Sequence, residues 1–241
     1  MTNRICLEGG TLVTQNAARS ILTNTSLWIE HDRIVAVETP PANAHHFKMV
    51  SAHGSFVLPG FINGHTHVGM QLFRGLAEEM PLHEWLFNRI FPLERKWVNP
   101  DTVKLATELA CAEMIHAGTT TFNDMYYYNE VIAATVHKVG MRARVAKTII
   151  EVSGVETSQK IYDDMRSFID ALSPYRPRVI PALAPHSVYG TSQPLMEKTL
   201  QAAQEFSVPL HIHLSETEKE EADCQKKFGM SATAYAKNRN S

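Results

Sequence analysis

Cysteine, strong net charge and long apolar runs are all lacking in this chain of 241 residues. Its three cysteines, Cys6, Cys111 and Cys224, are too few and too far apart for a disulfide framework, and they predict reduced thiols in a cytoplasmic protein. The net charge of −2 gives no electrostatic basis for binding nucleic acid. No run of about 18 apolar residues is present. The N-terminal MTNRICLEGG has no apolar signal segment, so neither a membrane span nor a secretory leader is expected.

The residues that are present make an ordinary globular composition, with 44% hydrophobic residues, 12 glycines and 12 prolines. This composition excludes collagen-like, low-complexity and disordered chains, and the length is sufficient to bury a large core. Histidine is the one unusual count, at 12 residues, so the positions of the histidines carry most of the functional argument.

Two parts with different patterns of secondary structure are predicted, residues 1–58 and residues 59–241. The first part is β-rich, with strands predicted over 4–13, 26–38 and 48–58 and a tight hairpin at Asp32-Arg33. In the second part, strands are predicted over 61–65, 119–123, 142–150, 179–185 and 209–214. Helices are predicted over 99–118, 129–140, 156–172, 192–206, 217–227 and 231–237. The alternation of apolar strands with helices predicts βα units in a parallel sheet or barrel.

Histidines stand at three of these predicted strand ends. His65 and His67 are two residues apart on an extended segment, so both imidazoles project to one face and can reach one metal ion. His213 and Glu216 follow the last predicted strand and can add a third imidazole and a carboxylate for proton transfer. His186 follows the fourth strand and can contact a substrate.

Each of these residues also has a plain structural interpretation. A His-x-His pair occurs by chance, Glu216 can be a helix N-terminal acid, and His186 can be a capping residue. We interpret His211, deeper in its strand, as a hydrogen-bonded interior residue. In a βα barrel, however, the C-terminal ends of the strands converge on one pocket, so the combination predicts a shared site.

The sequence resembles the amidohydrolase superfamily, in its branch of adenosine-type deaminases, s-triazine chlorohydrolases and guanine deaminases. The motifs are PGFINGHTH at 59–67, LFRGLA at 72–77, EWL at 84–86, AGTT at 117–120, PHS at 185–187 and HLSE at 213–216. The resemblance implies that His65, His67 and His213 are metal ligands. It also implies a (β/α)8 TIM-barrel-type hydrolase, of which about the first five βα units are present. Residues 1–58 would form part of a small β-sandwich.

The resemblance implies roles for further residues that surround the substrate. Glu216 matches the carboxylate that moves a proton, and Glu94 matches the acid that holds ribose hydroxyls. His186 matches a substrate-contacting histidine, and Trp85 is expected to line the pocket. The deaminases carry arginines after the third strand; here Lys147 is the nearest candidate, and a lysine cannot form their planar fork.

The activity implied is hydrolytic deamination of a purine nucleoside, 5′-methylthioadenosine or S-adenosylhomocysteine. A metal-bound hydroxide would attack the ring carbon that bears the amine, and ammonia would leave. One divalent ion is implied, zinc by default, with iron or manganese as alternatives. The alternative enzyme is a guanine or s-triazine amino- or chlorohydrolase acting on a small molecule.

A non-enzyme alternative follows from the length of the chain. Superfamily members have eight barrel strands, and a histidine and an aspartate beyond the fifth strand complete their site. Neither position exists here, so a C-terminally truncated and inactive fragment is the alternative. The open edge of such a partial barrel predicts either aggregation or association with a second copy of the chain.

Overall fold

The computed structural model describes residues 3–76, 79–150 and 158–239. The chain forms two compact units, Met1–Gly60 and Phe61–Ser241. The boundary expected after residue 58, and the expectation of a composite β-sandwich, stay predictions. None of the described helices has the length and apolarity needed to cross a membrane.

The first unit is a five-stranded sheet. Its strands are β1 (Arg4–Val13), β2 (Ile21–Glu30), β3 (Arg33–Val37), β4 (Lys48–Ser51) and β5 (Phe56–Val57). The order is β3-β2-β1-β4, and β5 also pairs with β1. The turn between β2 and β3 is one residue earlier than expected, at His31-Asp32, because Arg33 already pairs with Glu30. A small core of Cys6, Trp28 and Phe47 holds this sheet.

The second unit contains a parallel sheet, which confirms the predicted α/β class. Its strands are β6 (Phe61–Thr66), β7 (Thr119–Tyr126), β8 (Arg142–Ile149) and β9 (Val179–Pro185). They pair in chain order, all parallel, as in the first part of a (β/α)8 barrel.

Eight α-helices are described in this unit. They are α1 (Leu82–Trp85), α2 (Phe91–Trp97), α3 (Pro100–His116), α4 (Asn129–Val139), α5 (Ser158–Leu172), α6 (Gln193–Glu205), α7 (Glu218–Phe228) and α8 (Ala232–Arg239). A π-helical turn, Leu86–Ile90, joins α1 to α2, and 3-10 turns cover Val68–Phe73 and Ser173–Tyr175. Residues 156 and 157 of the predicted helix 156–172, and Ala77 of the LFRGLA motif, lie outside the described residues.

The core of the second unit lies between the parallel sheet and helices α3 to α6. Phe122, Val145 and Leu183 of the strands are at most 1% exposed, and so are Val103 of α3 and Met165 of α5. Burying one such side chain contributes about 1.5–3 kcal/mol of transfer free energy. The other face of the sheet has a second buried cluster, of Met125, Ala146, Ala182 and Ala184. Both faces of the inner strands are therefore covered, which explains their continuous apolar runs.

The fifth predicted strand, 209–214, is present only as a bridged segment that runs parallel to β9. The isolated bridges pair Leu183 with Leu210 and Ser187 with His213. Its backbone nevertheless follows β9, since the N–H of His213 donates to the carbonyl of His186 at 3.0 Å. This hydrogen bond, together with those between Leu183 and residues 209 and 211, places His213 beside the end of β9.

Candidate functional site

Three imidazoles meet at the C-terminal ends of the strands. His65 lies in β6, His67 directly follows it, and His213 lies in the bridged segment after β9. The Nε2 atoms of His65 and His67 are 3.1 Å apart, and those of His67 and His213 are 3.2 Å apart. All three candidate ligand atoms lie within 4.8 Å of one another. His65 and His213, which are 148 positions apart in the chain, thus lie side by side in the fold.

The hydrogen bonds of two of these rings leave the Nε2 atoms free as ligands. Nδ1 of His67 is 2.6 Å from the carbonyl oxygen of Met125, and Nδ1 of His213 is 3.1 Å from that of His186. Because a carbonyl oxygen only accepts, each Nδ1 carries the proton and each Nε2 presents a lone pair. This is the arrangement in which metal-ligating histidines are oriented by a second contact.

The electrostatics of the cluster also suit a cation. Burial lowers the pKa of His65 and of His67, and the neighbouring His213 lowers both further. The neutral imidazoles that result are the form that binds a metal. Lone pairs this close repel each other unless a positive charge lies between them, so the donor set fits a divalent metal ion with imidazole ligands.

A cavity opens directly beside this cluster. Its walls are mainly aromatic and aliphatic, and a few polar groups converge in it, as in small-molecule sites. The lining residues are His67, Met70, Leu82, Trp85, Leu86, Ile90, Phe91, Glu94, Met125, Tyr126, Tyr127, Thr148, His186, Tyr189, His213 and Glu216. The cavity therefore contains two of the three clustered histidines and both predicted acids.

Glu94 enters the cavity from α2. The hydroxyl of Tyr126, at the end of β7, donates to its Oε1 at 2.7 Å. Burial raises the pKa of Glu94, while this hydrogen bond lowers it. Tyr126 was not identified from the sequence, although the aromatic run MYYYN at 125–129 begins just beyond the predicted strand 119–123.

Glu216 also lines the cavity, and it lies just before α7. It precedes the N-cap residue Thr217, so it is not part of the first helical turn. The hydroxyl of Tyr189 donates to its Oε2 at 3.1 Å, and its own N–H donates to Oε2 of Glu220 at 2.8 Å. The carboxylate is thus held in place at the rim of the cavity.

His186, at the end of β9, faces the same cavity. Its ring centroid is 4.8 Å from that of His213. Burial, followed by the charges of His213 and His67, lowers the pKa of His186 to about 4. His186 is therefore neutral near pH 7 and can donate or accept a hydrogen bond.

Two further expectations concern the cavity wall. Trp85, from α1, lies among the lining residues. Phe87, two residues later, does not; it is 53% exposed and stacks on His83. Lys147 lies on β8 but not among the lining residues; its neighbour Thr148 takes that position.

His211 lies close to the cluster but does not contribute to it. Its ring centroid is 5.8 Å from that of His65. Its buried Nδ1 has no hydrogen-bond partner among the described residues, contrary to the expectation of a hydrogen-bonded interior residue. Burial is the main cause that lowers its pKa to about 4, so the ring is neutral near pH 7.

The chain matches known proteins along almost all of its length. Residues 56–240 match the profile of the amidohydrolase family. A 5-methylthioadenosine/S-adenosylhomocysteine deaminase of Thermodesulfovibrio yellowstonii is 38% identical over 236 residues, which are 94% of this chain and 53% of that protein. A 5′-deoxyadenosine deaminase of Methanocaldococcus jannaschii is 40% identical over 189 residues, 78% of this chain and 45% of that one.

A solved structure shows the same fold. An adenosine deaminase from Xanthomonas campestris, with bound zinc, matches with a TM-score of 0.82 at 29% identity. The match covers 98% of this chain and 54% of that one. The chain thus spans about half the length of the relatives it matches.

Proposed function

Because this chain belongs to the amidohydrolase family, as its motifs predicted, we propose that it acts in the metal-dependent hydrolytic deamination of a purine nucleoside, with 5′-methylthioadenosine or S-adenosylhomocysteine as substrate. The observation that carries the proposal is the convergence of His65, His67 and His213 at a cavity that also contains Glu94 and Glu216. The deaminases among its relatives support the substrate class.

Zinc is the metal we propose, held by the three Nε2 atoms. Three imidazoles with an open fourth position are typical of a catalytic zinc site, and the Xanthomonas relative contains zinc. Iron and manganese are the alternatives for the same ligands. Such an ion supplies Lewis acidity, which lowers the pKa of a water molecule and so provides a nucleophile near pH 7.

Side chains of the chain itself would carry out proton transfer and substrate binding. Glu216, held by Tyr189, moves a proton from the attacking water to the ring nitrogen, which makes the adjacent carbon electrophilic and allows ammonia to leave. Neutral His186 forms a hydrogen bond to the substrate. Glu94 accepts from the ribose hydroxyls through Oε2, since Tyr126 already contacts Oε1. Trp85 forms the apolar wall for the purine, and Lys147 remains a candidate for contact with the substrate tail.

The cellular setting that we propose is the cytoplasm. All three cysteines are buried free thiols, which fits a reducing compartment. The partner is a small-molecule substrate.

An ammonia-release assay on the zinc-loaded chain tests the activity. Adenosine, 5′-methylthioadenosine, S-adenosylhomocysteine, guanine and a chloro-s-triazine are compared, and the two thio-nucleosides are expected to give the highest kcat/KM. Glu216→Gln is the matched variant, because it keeps the size of the side chain but cannot carry the proton. It is expected to lower kcat by about 10²–10⁴-fold while the zinc content stays unchanged.

Other outcomes of the same assay would reject the proposal. Turnover of the triazine alone would assign the chain to the chlorohydrolases. Zinc binding at one ion per chain without turnover of any substrate would leave a metal-binding fragment without catalysis.

A further inference from the structure

Strand β6, which contains His65 and is directly followed by His67, loses its regular pairing with β7 near its C-terminal end. The register of β6 against β7 is irregular between Asn63 and Thr66. Side chains of β7 replace the missing ladder there, since Nδ2 of Asn123 donates to the carbonyl of Gly64 at 3.2 Å. The position of His67 is therefore set by side-chain contacts with β7 as well as by the sheet.

Asp124 makes two of the side-chain hydrogen bonds that take the place of the missing backbone pairing between β6 and β7. Its Oδ1 accepts from the Thr66 hydroxyl at 2.9 Å and from the Val68 N–H at 2.8 Å. Thr66 and Val68 are the two residues that flank His67 in the chain. One carboxylate oxygen thus binds the side chain of the residue before a candidate metal ligand and the backbone of the residue after it.

The residues on either side of Asp124 form further hydrogen bonds with the same segment. The carbonyl of Asn123 accepts from the Thr66 hydroxyl at 2.9 Å, and the carbonyl of Met125 accepts from Nδ1 of His67 at 2.6 Å. Three consecutive residues of β7 therefore hold the three consecutive residues from Thr66, the last of β6, to Val68. In this register Nδ1 of His67 meets the carbonyl of Met125, and Nε2 of the same ring faces Nε2 of His213.

Asp124 is an unusual residue for a purely structural position. It is fully buried, and its Oδ2 has no hydrogen-bond partner among the described residues. Burial raises its pKa to about 7. A buried, half-satisfied carboxyl group destabilises a fold, so it calls for a reason other than packing.

We propose that Asp124 is a positioning residue for the metal centre, which fixes residues 66–68 so that His67 presents Nε2 to the ion shared with His65 and His213. This inference rests on the proposed function for the ion itself. Asp124 does not touch the ion or the substrate in this assignment, because it acts through the Thr66 hydroxyl and the Val68 N–H on the two sides of His67.

Two substitutions separate the role of the acceptor from that of the buried charge. Asp124→Asn keeps an oxygen that can accept from Thr66 and Val68, so zinc affinity is expected to stay within about threefold of the unsubstituted chain. Asp124→Ala removes the acceptor and is expected to weaken zinc binding by about 10–100-fold, as for other contacts that orient ligands. Zinc affinity is measured by competition with a chromophoric chelator at pH 7.5.

Thr107→Val is the matched control. Thr107 is fully buried in α3, and its hydroxyl donates to the carbonyl of Val103 rather than to Asp124 or a clustered histidine. It is expected to lower stability without changing zinc affinity. A loss of zinc binding in this variant equal to that in Asp124→Ala would reduce the role of Asp124 to general stability and overturn the proposal.

A second readout does not depend on the metal. Long-range ¹H–¹⁵N NMR of the histidine rings in the metal-free chain reports which nitrogen of His67 carries the proton. We expect the Nδ1–H tautomer in the unsubstituted chain, in Asp124→Asn and in Thr107→Val, and a mixture of tautomers in Asp124→Ala. A chain that fails to bind zinc would reject the proposed function, while the tautomer would still test the positioning role.

Thr66→Val covers the case in which Asp124→Ala does not fold. This variant is close in shape and removes only the hydroxyl that contacts Asp124 and Asn123, so a smaller loss of zinc affinity, about threefold to tenfold, is expected. Unchanged zinc affinity together with an unchanged His67 tautomer, in Asp124→Ala or in Thr66→Val, would overturn the proposal.

Discussion

At the scale of single residues, the two acids in the cavity are each held by a tyrosine. Tyr126 donates to Glu94 and Tyr189 donates to Glu216. Partial burial and the nearby Glu216 raise the pKa of Tyr189 to about 12, so its hydroxyl stays a donor near pH 7. Each carboxylate keeps one oxygen that is not engaged by its tyrosine. The orientation of both acids therefore depends on residues from other elements.

The free oxygen of Glu94 leads to a prediction about substrate recognition. Glu94→Gln keeps an oxygen for Tyr126 but removes the charge that ribose hydroxyls would contact. Hydrogen bonds to charged groups contribute about 1.5–3 kcal/mol, so binding of 5′-methylthioadenosine to the zinc-loaded chain is expected to weaken by about 10–100-fold. Isothermal titration calorimetry measures this change.

Free adenine provides the control for that measurement. It lacks the ribose, so its affinity is expected to be equal in both chains. Equal weakening of the nucleoside and the base would show that Glu94 supports the cavity wall rather than the sugar.

At the scale of elements, helix starts with local signals were predictable and elements that depend on distant pairing were not. The N-terminal start of α3 was correct because Asn99 accepts from the N–H groups of Asp101 and Thr102 within four residues of chain. The segment 209–214 reads as a strand, yet it makes only two bridges to β9 and its continuation. Alternating apolar residues indicate an extended chain but not how many backbone pairs it completes.

The cap of α3 gives a stability prediction at this scale. Asn99→Ala removes the side-chain oxygen that satisfies two otherwise unpaired N–H groups, and it is expected to lower the free energy of unfolding by about 1 kcal/mol. Urea denaturation followed by circular dichroism measures the change. Asn99→Ser, which keeps a capping oxygen, should retain most of the stability; an equal loss in both variants would contradict the capping argument.

At the scale of the whole molecule, the chain leaves large apolar side chains in contact with water. Leu105 and Leu109, one turn apart on α3, are 60% and 47% exposed, and Ile62 of the edge strand β6 is 75% exposed. Contiguous exposed apolar surface favours association. Self-association was expected from the partial barrel and stays a prediction.

Sedimentation velocity over a range of concentrations tests that expectation. The chain is expected to form dimers or larger species as its concentration rises, and Leu105→Gln combined with Leu109→Gln should shift the balance towards monomer. Lys104→Gln, on the same helix, is the control and should leave the association unchanged. A monomer at all concentrations would contradict the prediction.

Local sequence was sufficient to identify the family, the α/β class and the three clustered histidines, because strand ends, helix caps and short motifs are written in neighbouring residues. It could not reveal that Asp124 grips both sides of His67, or that Tyr126 and Tyr189 hold the two acids. Those contacts join positions 27 to 58 residues apart, and folding alone brings them together. The physical reason is the range of the interactions. A motif of neighbouring residues shows which chemistry a side chain can perform, but the packing of strands that are distant in the sequence determines which group that side chain contacts.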